Sequence, residues 1–297
     1  MKILLTGSNG QLGWELFKQC KEVGFEIKGV DLPEHDITNA VQVEKNILDY
    51  GPSLVINAAA FTNVDGAETE QDLAFLVNRD APAHLAQLCS YTGIPLIHFS
   101  TDYVFDGQKD VPYKETDPVS PLNVYGQSKL EGEIRIRSRL EEHIIIRTSW
   151  LYGTHGKNFV KTMLTLGEKR ESIKVVNDQF GSPTSTADLS EAILKIVSII
   201  QNKNATAWGT YHYCGQGITS WHGFSQAIFN IAKNVLPLKI KRIEPIPSNV
   251  FNAKADRPAF SSLDCRHINK KFGINTKPWR KSLEIMINRL INENRKQ

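Results

Sequence analysis

Short apolar runs alternate with amphipathic stretches through the first half of the chain. Ile3, Leu4 and Leu5 follow one another without a polar interruption, as in a strand buried on both faces of a parallel sheet. The next segment carries Leu12, Leu16 and Phe17 on one side and Glu15, Lys18 and Gln19 largely on the other, which is a helical spacing. The alternation then recurs. Residues 25–30, 53–57, 94–99 and 143–147 predict further strands, and helices are predicted from 36 to about 50, 69 to 90 and 123 to 141. Asp36 or Thr38 is the expected cap of the second helix. Pro82 is expected to kink the third or to mark where two helices meet. Five strand–helix units in succession predict an α/β fold, a Rossmann-type doubly wound parallel sheet.

Beyond Trp150 the rhythm loosens. Helices are predicted at 157–168, 188–200 and 220–234, with Ser220 capping the last, and strands at 173–176 and 209–213. A Gly/Pro loop fills 177–183. Residues 237–262, with Pro237, Pro245, Pro247 and Pro258, read as irregular substrate-side structure. A closing amphipathic helix covers 283–290, and 292–297 are expected to fray. The pattern divides the chain into a dinucleotide-binding domain, residues 1–150 with 168–215, and a smaller, partly interleaved substrate domain, 151–167 and 216–297.

Composition narrows the class of function. The 297 residues are 41% hydrophobic and 23% charged, with a net charge of +3, and Lys and Arg are scattered. No basic stripe points to nucleic acid. No run approaches the ~18 apolar residues of a membrane span, and the amino terminus reads as a strand rather than a leader. Cys20, Cys89, Cys214 and Cys265 lack metal-ligand spacing, so free thiols in a reducing cytoplasm are expected.

Candidate chemistry starts at the amino terminus. Gly7, Gly10 and Gly13 recur every third residue between the first strand and the first helix. Strand, glycine turn and helix start together bring free backbone N–H groups and the helix dipole onto a pyrophosphate. Asn9, Gln11 and Leu12 share that turn and become cofactor candidates with it. Asp31, at the tip of the second strand, is placed to bond a ribose 2′-hydroxyl, which favours NAD, although Lys28 or a loop residue leaves room for a 2′-phosphate. Asp36 and Ile37 either flank an adenine or form a plain turn. Ala58, Ala59 and Ala60 follow the third strand with side chains small enough for close approach by a ligand. Ser100 and Thr101 end the fourth strand, where open α/β sheets bind ligands, and residues 110–121 read as a loop over the site. Tyr125 and Lys129 lie one helical turn apart. A nearby ammonium favours the phenolate and lowers the tyrosine pKa, fitting Tyr125 to give a proton to a carbonyl oxygen that a hydroxyl polarises.

Seven strings carry a wider likeness: TGSNGQLG (6–13), NAAAFTNVDGAE (57–68), STDYVFDG (100–107), SPLNVYGQSKLEGE (120–133), RTSWLYG (147–153), NDQFGSPT (177–184) and RPAFSSLD (257–264). Over nearly its whole length the chain resembles the extended short-chain dehydrogenase/reductase superfamily and, within it, the dTDP-4-dehydrorhamnose reductase family. The resemblance implies reduction of the C4 ketone of a dTDP-4-keto-6-deoxy sugar by NADPH or NADH. It implies Tyr125 as proton donor, Lys129 on the nicotinamide ribose, and Thr101 as the third catalytic group with Ser100 as its competitor. Thr62, Val64, Tyr103 and Trp150 would surround sugar or nicotinamide, and Arg257 and Ser261 would contact the diphosphate. Some members form a metal-linked dimer through a first-helix glutamate. Glu15 occupies that place, but the other acidic ligands are unmatched, so a solvated glutamate, no metal, and a monomer or homodimer are expected. The resemblance leaves two alternatives, a ketoreductase for another sugar stereoisomer and a non-catalytic regulatory subunit of the same fold.

Overall fold

The computed structural model describes residues 1–202, 207–233 and 235–294. Its strands longer than two residues are β1 (Lys2–Thr6), β2 (Glu26–Val30), β3 (Leu54–Asn57), β4 (Leu96–Thr101), β5 (His143–Thr148), β6 (Ser172–Val176), β7 (Gly209–His212) and β8 (Arg242–Ile246). The apolar runs stack into one sheet of order β7-β5-β4-β3-β1-β2, with every pairing parallel. Strand order reverses between β1 and β3, and a crevice opens there at the carboxyl ends of the strands.

The helices of about two turns or more are α1 (Gln11–Glu22), α2 (Ala40–Tyr50), α3 (Ala81–Thr92), α4 (Val124–Arg139), α5 (Phe159–Lys169), α6 (Thr186–Gln201), α7 (Trp221–Ala232), α8 (Arg266–Phe272) and α9 (Trp279–Asn294). The two-residue period of a strand divides its side chains between two helical layers. Ile3, Leu5, Ile56, Ile97 and Ile144 face α1 and α6 through Leu16, Leu189 and Ile193. Leu4, Val55, Leu96 and Ile145 face α2, α3 and α4 through Ile47, Leu85 and Ile136. A further core joins α5, β6, α7 and α9 around Val160, Phe224, Trp279 and Leu283.

Several elements depart from the sequence pattern. Asn39, not Asp36 or Thr38, caps α2 by accepting from Gln42 N. The Asp36 carboxylate accepts instead from the backbone N–H and hydroxyl of Thr38, at 2.8 and 2.7 Å, and closes a turn. The single helix predicted over 69–90 is broken into Val64–Ala67, Gln71–Phe75, a π turn Leu76–Asp80, and α3. Asn78 holds that π turn in place. Fully buried, it bonds both backbone groups of Phe61 and the Ser128 hydroxyl. Pro82 falls in the first turn of α3, where its missing N–H is no loss, and so marks the meeting of two helices.

Within 237–262, expected to be irregular, β8 pairs in parallel with β6. A two-stranded ladder has outer edges that need no donor, so it tolerates Pro245. The domain boundaries shift as well. Ile173 and Val175 of β6 belong to the core of α5, α7 and α9, although the sequence pattern places 168–215 in the dinucleotide-binding domain. Ile268, Phe272 and Ile274, assigned to the smaller domain, pack on the sheet. Apolar spacing says that a segment is buried but not against which core. Ser220 caps α7 as expected, accepting from Gly223 N. Helix α9 runs through 292–294, where fraying was expected. Residues 234 and 295–297, the ends of two predicted segments, lie outside the described residues. Among the described residues no helix is long and apolar enough to cross a membrane.

Candidate active site

The glycine turn is a close-packed junction of three backbone segments. Gly7 has φ +72°, and a Cβ there would lie 2.4 Å from Ala59 N, while a Cβ on Gly13 would lie 1.9 Å from Gly7 O. Only glycine permits β1, the turn and α1 to touch in this way. Gly7 N donates to Val30 O and Gly10 N to Gly7 O, and Gly10 offers no side-chain cap to α1. The helix start therefore keeps free N–H groups for an anion. Asp31 reaches back to this turn, its Oδ2 accepting from Asn9 N at 2.7 Å.

From the turn a crevice of about 700 Å³ runs across the carboxyl edge of the sheet, within the range of small-molecule sites. Gly7, Asn9, Gly10, Gln11, Leu12, Asp31, Asp36, Ile37, Ala58, Ala59 and Ala60 line one half. Thr62, Val64, Thr101, Tyr103, Tyr125, Lys129 and Trp150 line the other. Gln11 Oε1, Asp102 Oδ2 and Thr148 Oγ1 are buried without hydrogen-bond partners among the described residues, and all three residues belong to the lining. A cradle of bare backbone at one end and unpaired polar atoms along the wall fit a polar, phosphate-bearing dinucleotide.

The start of α4 is fixed from three directions. Asn123 accepts from Gly126 N at 2.7 Å and Glu68 from Val124 N at 2.9 Å, and a Cβ on Gly126 would meet Tyr103 O at 2.2 Å. Pressed onto Tyr103 in this way, the helix brings Tyr125 into the crevice beside Thr101, whose hydroxyl is near enough to favour the phenolate. Thr101 also accepts from Tyr103 N and donates to Asp102 Oδ1, both at 3.1 Å. Ser100 uses its hydroxyl elsewhere, donating to Glu133 Oε1 at 2.6 Å. Adjacent residues of a strand point to opposite faces, so of the two hydroxyls it is that of Thr101 that lies on the side of the phenol.

The electrostatics differ from the sequence expectation. Burial pushes Tyr125 up to about 12, against the pull of the Thr101 hydroxyl and with a further push from the Asp102 charge. Lys129 does not offset this rise. It is 2% exposed, it donates to Phe99 O at 2.6 Å, and burial pushes it down to about 8 although Glu133 favours its charge. Asp102, which spacing did not single out, is 3% exposed. Burial raises its carboxyl to about 7 against hydrogen bonds from Ser261 and Thr101.

Two expected residues lie off the crevice wall. Arg257 pairs with Asp65 at 2.9 Å. Ser261, 2% exposed, is buried near Asp102 and helps hold its carboxyl down. Residues 110–121 do not cover the site. Tyr113 stacks on Phe105 and takes Ser262 O as its backbone partner, which ties the loop to the 260s segment, and none of these residues lines the crevice. Glu15 is not solvated; it is 3% exposed and pairs with Arg289 of α9 at 3.2 Å.

Other residues at the crevice or bracing its glycine turn were not legible. Trp221 lies parallel to Trp150, ring centroids 3.5 Å apart, with Trp150 held at φ +48°. His155 stacks on Trp14 and bonds Asn9 O at 3.0 Å, so the loop before α5 rests on the glycine turn. An aromatic in the first turn of a helix was the available signal for Trp221; His155 offered none.

Comparison with known proteins places these features in a group. A family model described as the RmlD substrate binding domain matches residues 1–292. The dTDP-4-dehydrorhamnose reductase of Burkholderia thailandensis is 38% identical over 299 residues, covering 99% of this chain and 100% of that protein. The crystal structure of a dTDP-4-dehydrorhamnose reductase from Clostridium acetobutylicum matches with a TM-score of 0.90 at 41% identity, covering 98% of this chain and 99% of that one. The Bacillus anthracis dTDP-4-dehydrorhamnose reductase, solved in complex with NADP, matches with a TM-score of 0.90 at 37% identity, covering 97% and 99%.

Proposed function

Because the chain belongs to the family of the RmlD substrate binding domain and aligns end to end with dTDP-4-dehydrorhamnose reductases, we propose that it reduces the C4 ketone of dTDP-4-dehydro-β-L-rhamnose to dTDP-β-L-rhamnose with NADPH or NADH, in dTDP-rhamnose biosynthesis. One observation carries the reading: Thr101, Tyr125 and Lys129 line one crevice with the glycine turn.

Gly7 to Leu12 would hold the pyrophosphate, Asp31, Asp36 and Ile37 the adenosine end, and Ala58–Ala60 the middle of the dinucleotide. When bound, the nicotinamide supplies the hydride. The chain supplies the proton and the orientation. With its pKa raised to about 12, Tyr125 remains a phenol at neutral pH and is ready to give its proton to the ketone oxygen. Thr101, beside it, would turn its hydroxyl from Asp102 Oδ1 to the same oxygen and fix the ketone's approach. Lys129 offers N–H bonds to a ribose from the floor of the crevice. Thr62, Val64, Tyr103 and Trp150 surround the sugar and exclude water. Arg257 would take the diphosphate by exchanging one anion, Asp65, for another, which its planar fork permits; Ser261 acts through Asp102. The same reading puts the enzyme in the cytoplasm as a monomer or homodimer.

The test is an absorbance assay of nicotinamide oxidation with dTDP-4-dehydro-β-L-rhamnose, followed by NMR of the product. A dTDP-L-rhamnose spectrum is expected. No consumption of either cofactor, or a product of different C4 configuration, would overturn the proposal.

A further inference from the structure

Behind Lys129 lies a chain of hydrogen bonds whose directions follow from the protein alone. The backbone N–H of Ala59 donates to Asn57 Oδ1 at 3.1 Å. A backbone N–H has no other role to play, so it fixes the Asn57 amide, and Thr6 donates to the same oxygen at 2.8 Å. Asn57 Nδ2 then faces His98 Nδ1 at 3.0 Å and must donate to it. With Nδ1 accepting, a neutral imidazole carries its proton on Nε2. His98 is 0% exposed, and burial together with the Lys129 charge holds it well below the usual histidine range, so the ring is neutral. Its Nε2 lies 3.3 Å from Lys129 Nζ.

An imidazole N–H thus points at an ammonium that is already anchored on the other side by Phe99 O. Two N–H bonds cannot share that line. We propose that Asn57 and His98 are positioning residues for Lys129: they present an N–H to its nitrogen, keep the lysine's own N–H bonds off that line, and turn them toward the crevice. This deepens the reductase reading and rests on it for the role of Lys129.

The charged and titratable groups around Lys129 act in both directions. On its own helix, Glu133 favours the ammonium, but Arg147 of β5 closes on Glu133 with both arms of its fork. Arg137 adds a further contact to the same carboxylate. Tyr125, one turn away, and Asp102, beyond the end of β4, border the crevice side. His98 of β4 is the neighbour set against the charge. Replacing its N–H by an acceptor makes the ammonium persist to higher pH.

The test uses the full chain without ligand, labelled with ¹⁵N-histidine, the His98 signals being identified by their loss in His98→Gln. Expected are a protonated Nε2 and a bare Nδ1 that do not titrate between about pH 5 and 8. A proton on Nδ1, or a ring that titrates in that window, would overturn the proposal. In Asn57→Asp a carboxylate faces Nδ1, draws the proton there and leaves Nε2 to accept from Lys129. The alkaline limb of kcat should move upward by about one pH unit. A flipped tautomer with an unmoved limb would overturn the link to Lys129. If Asn57→Asp does not fold, the spectrum of the unsubstituted chain still decides. Absence of turnover in the unsubstituted protein counts against the reductase reading alone, since the tautomer is read without activity.

Discussion

The ion pair beneath the site is open to a quantitative test. Glu133 is fully buried and accepts from Arg147 Nε and Nη2 at 2.9 and 2.7 Å, from Ser100 at 2.6 Å and from Arg137 at 2.9 Å. Arg147 is 3% exposed, and its Nη1 has no partner among the described residues. Glu133→Gln would leave the Arg147 charge buried without its counter-ion. Breaking one side of such a pair costs about 3–5 kcal/mol. At roughly 2 °C per kcal/mol for a chain of this size, Tm should fall by about 6–10 °C. Removing both charges in Glu133→Leu/Arg147→Met should cost less than either single change, because no charge is then stranded.

The pair also has a pH signature. Burial works to raise the Glu133 carboxyl, but Arg147, Ser100 and Arg137 together hold it below its ordinary value. Its contribution to stability is therefore present above the unfolded pKa of about 4.3 and is lost as pH falls through the lower folded value. Urea unfolding of both single variants and the double variant, at neutral and acid pH, measures all of this. A Glu133→Gln cost under about 1 kcal/mol, or a double variant no milder than the singles, would refute the reasoning.

Three further outcomes are expected. Tyr125→Phe should cut kcat by about 10²–10⁴-fold while a fluorescence titration shows nucleotide affinity nearly unchanged; a large loss of affinity would remove its assigned role. Because Lys129 holds the ribose through its N–H bonds, kcat measured across pH should decline as pH rises through about 8, where that nitrogen loses its charge and one of those bonds, and a flat alkaline profile would count against that group. Gly13→Ala puts a methyl 1.9 Å from Gly7 O. The turn must open, and nucleotide affinity should drop by about tenfold or more; binding equal to that of the unsubstituted chain would contradict the packing described.

The sheet was legible because its strands are buried on both faces, and runs such as Ile3–Leu5 have few other uses. The glycine turn, Asp31, Tyr125 and Lys129 were legible because backbone sterics and helical phase tie each to a fixed place. What escaped depends on contacts distant in sequence. Nothing local distinguishes Ser100 from Thr101, and it is Glu133, 33 residues away, that claims the serine hydroxyl. Arg257 looked ready for phosphate because its partner Asp65 lies 192 positions earlier. Glu15 looked like a surface residue until α9 brought Arg289 to it. The pairing of β6 with β8 required Pro245 in a strand, which propensity argues against. The direction of the Tyr125 shift also failed to follow from spacing, because burial outweighs a lysine whose charge is already bonded to Phe99.

The interlocked glycines have an evolutionary corollary. At Gly7 and Gly13 the molecule's own main chain fills the space into which any larger residue would grow, so the socket for the diphosphate has almost no freedom to drift. The aromatic lip of Trp150 and Trp221 is built by side chain stacked on side chain, and Thr62 and Val64 also enter the crevice by their side chains. New sugar preferences on this scaffold should therefore arise by rewriting the lip while the socket stays as it is.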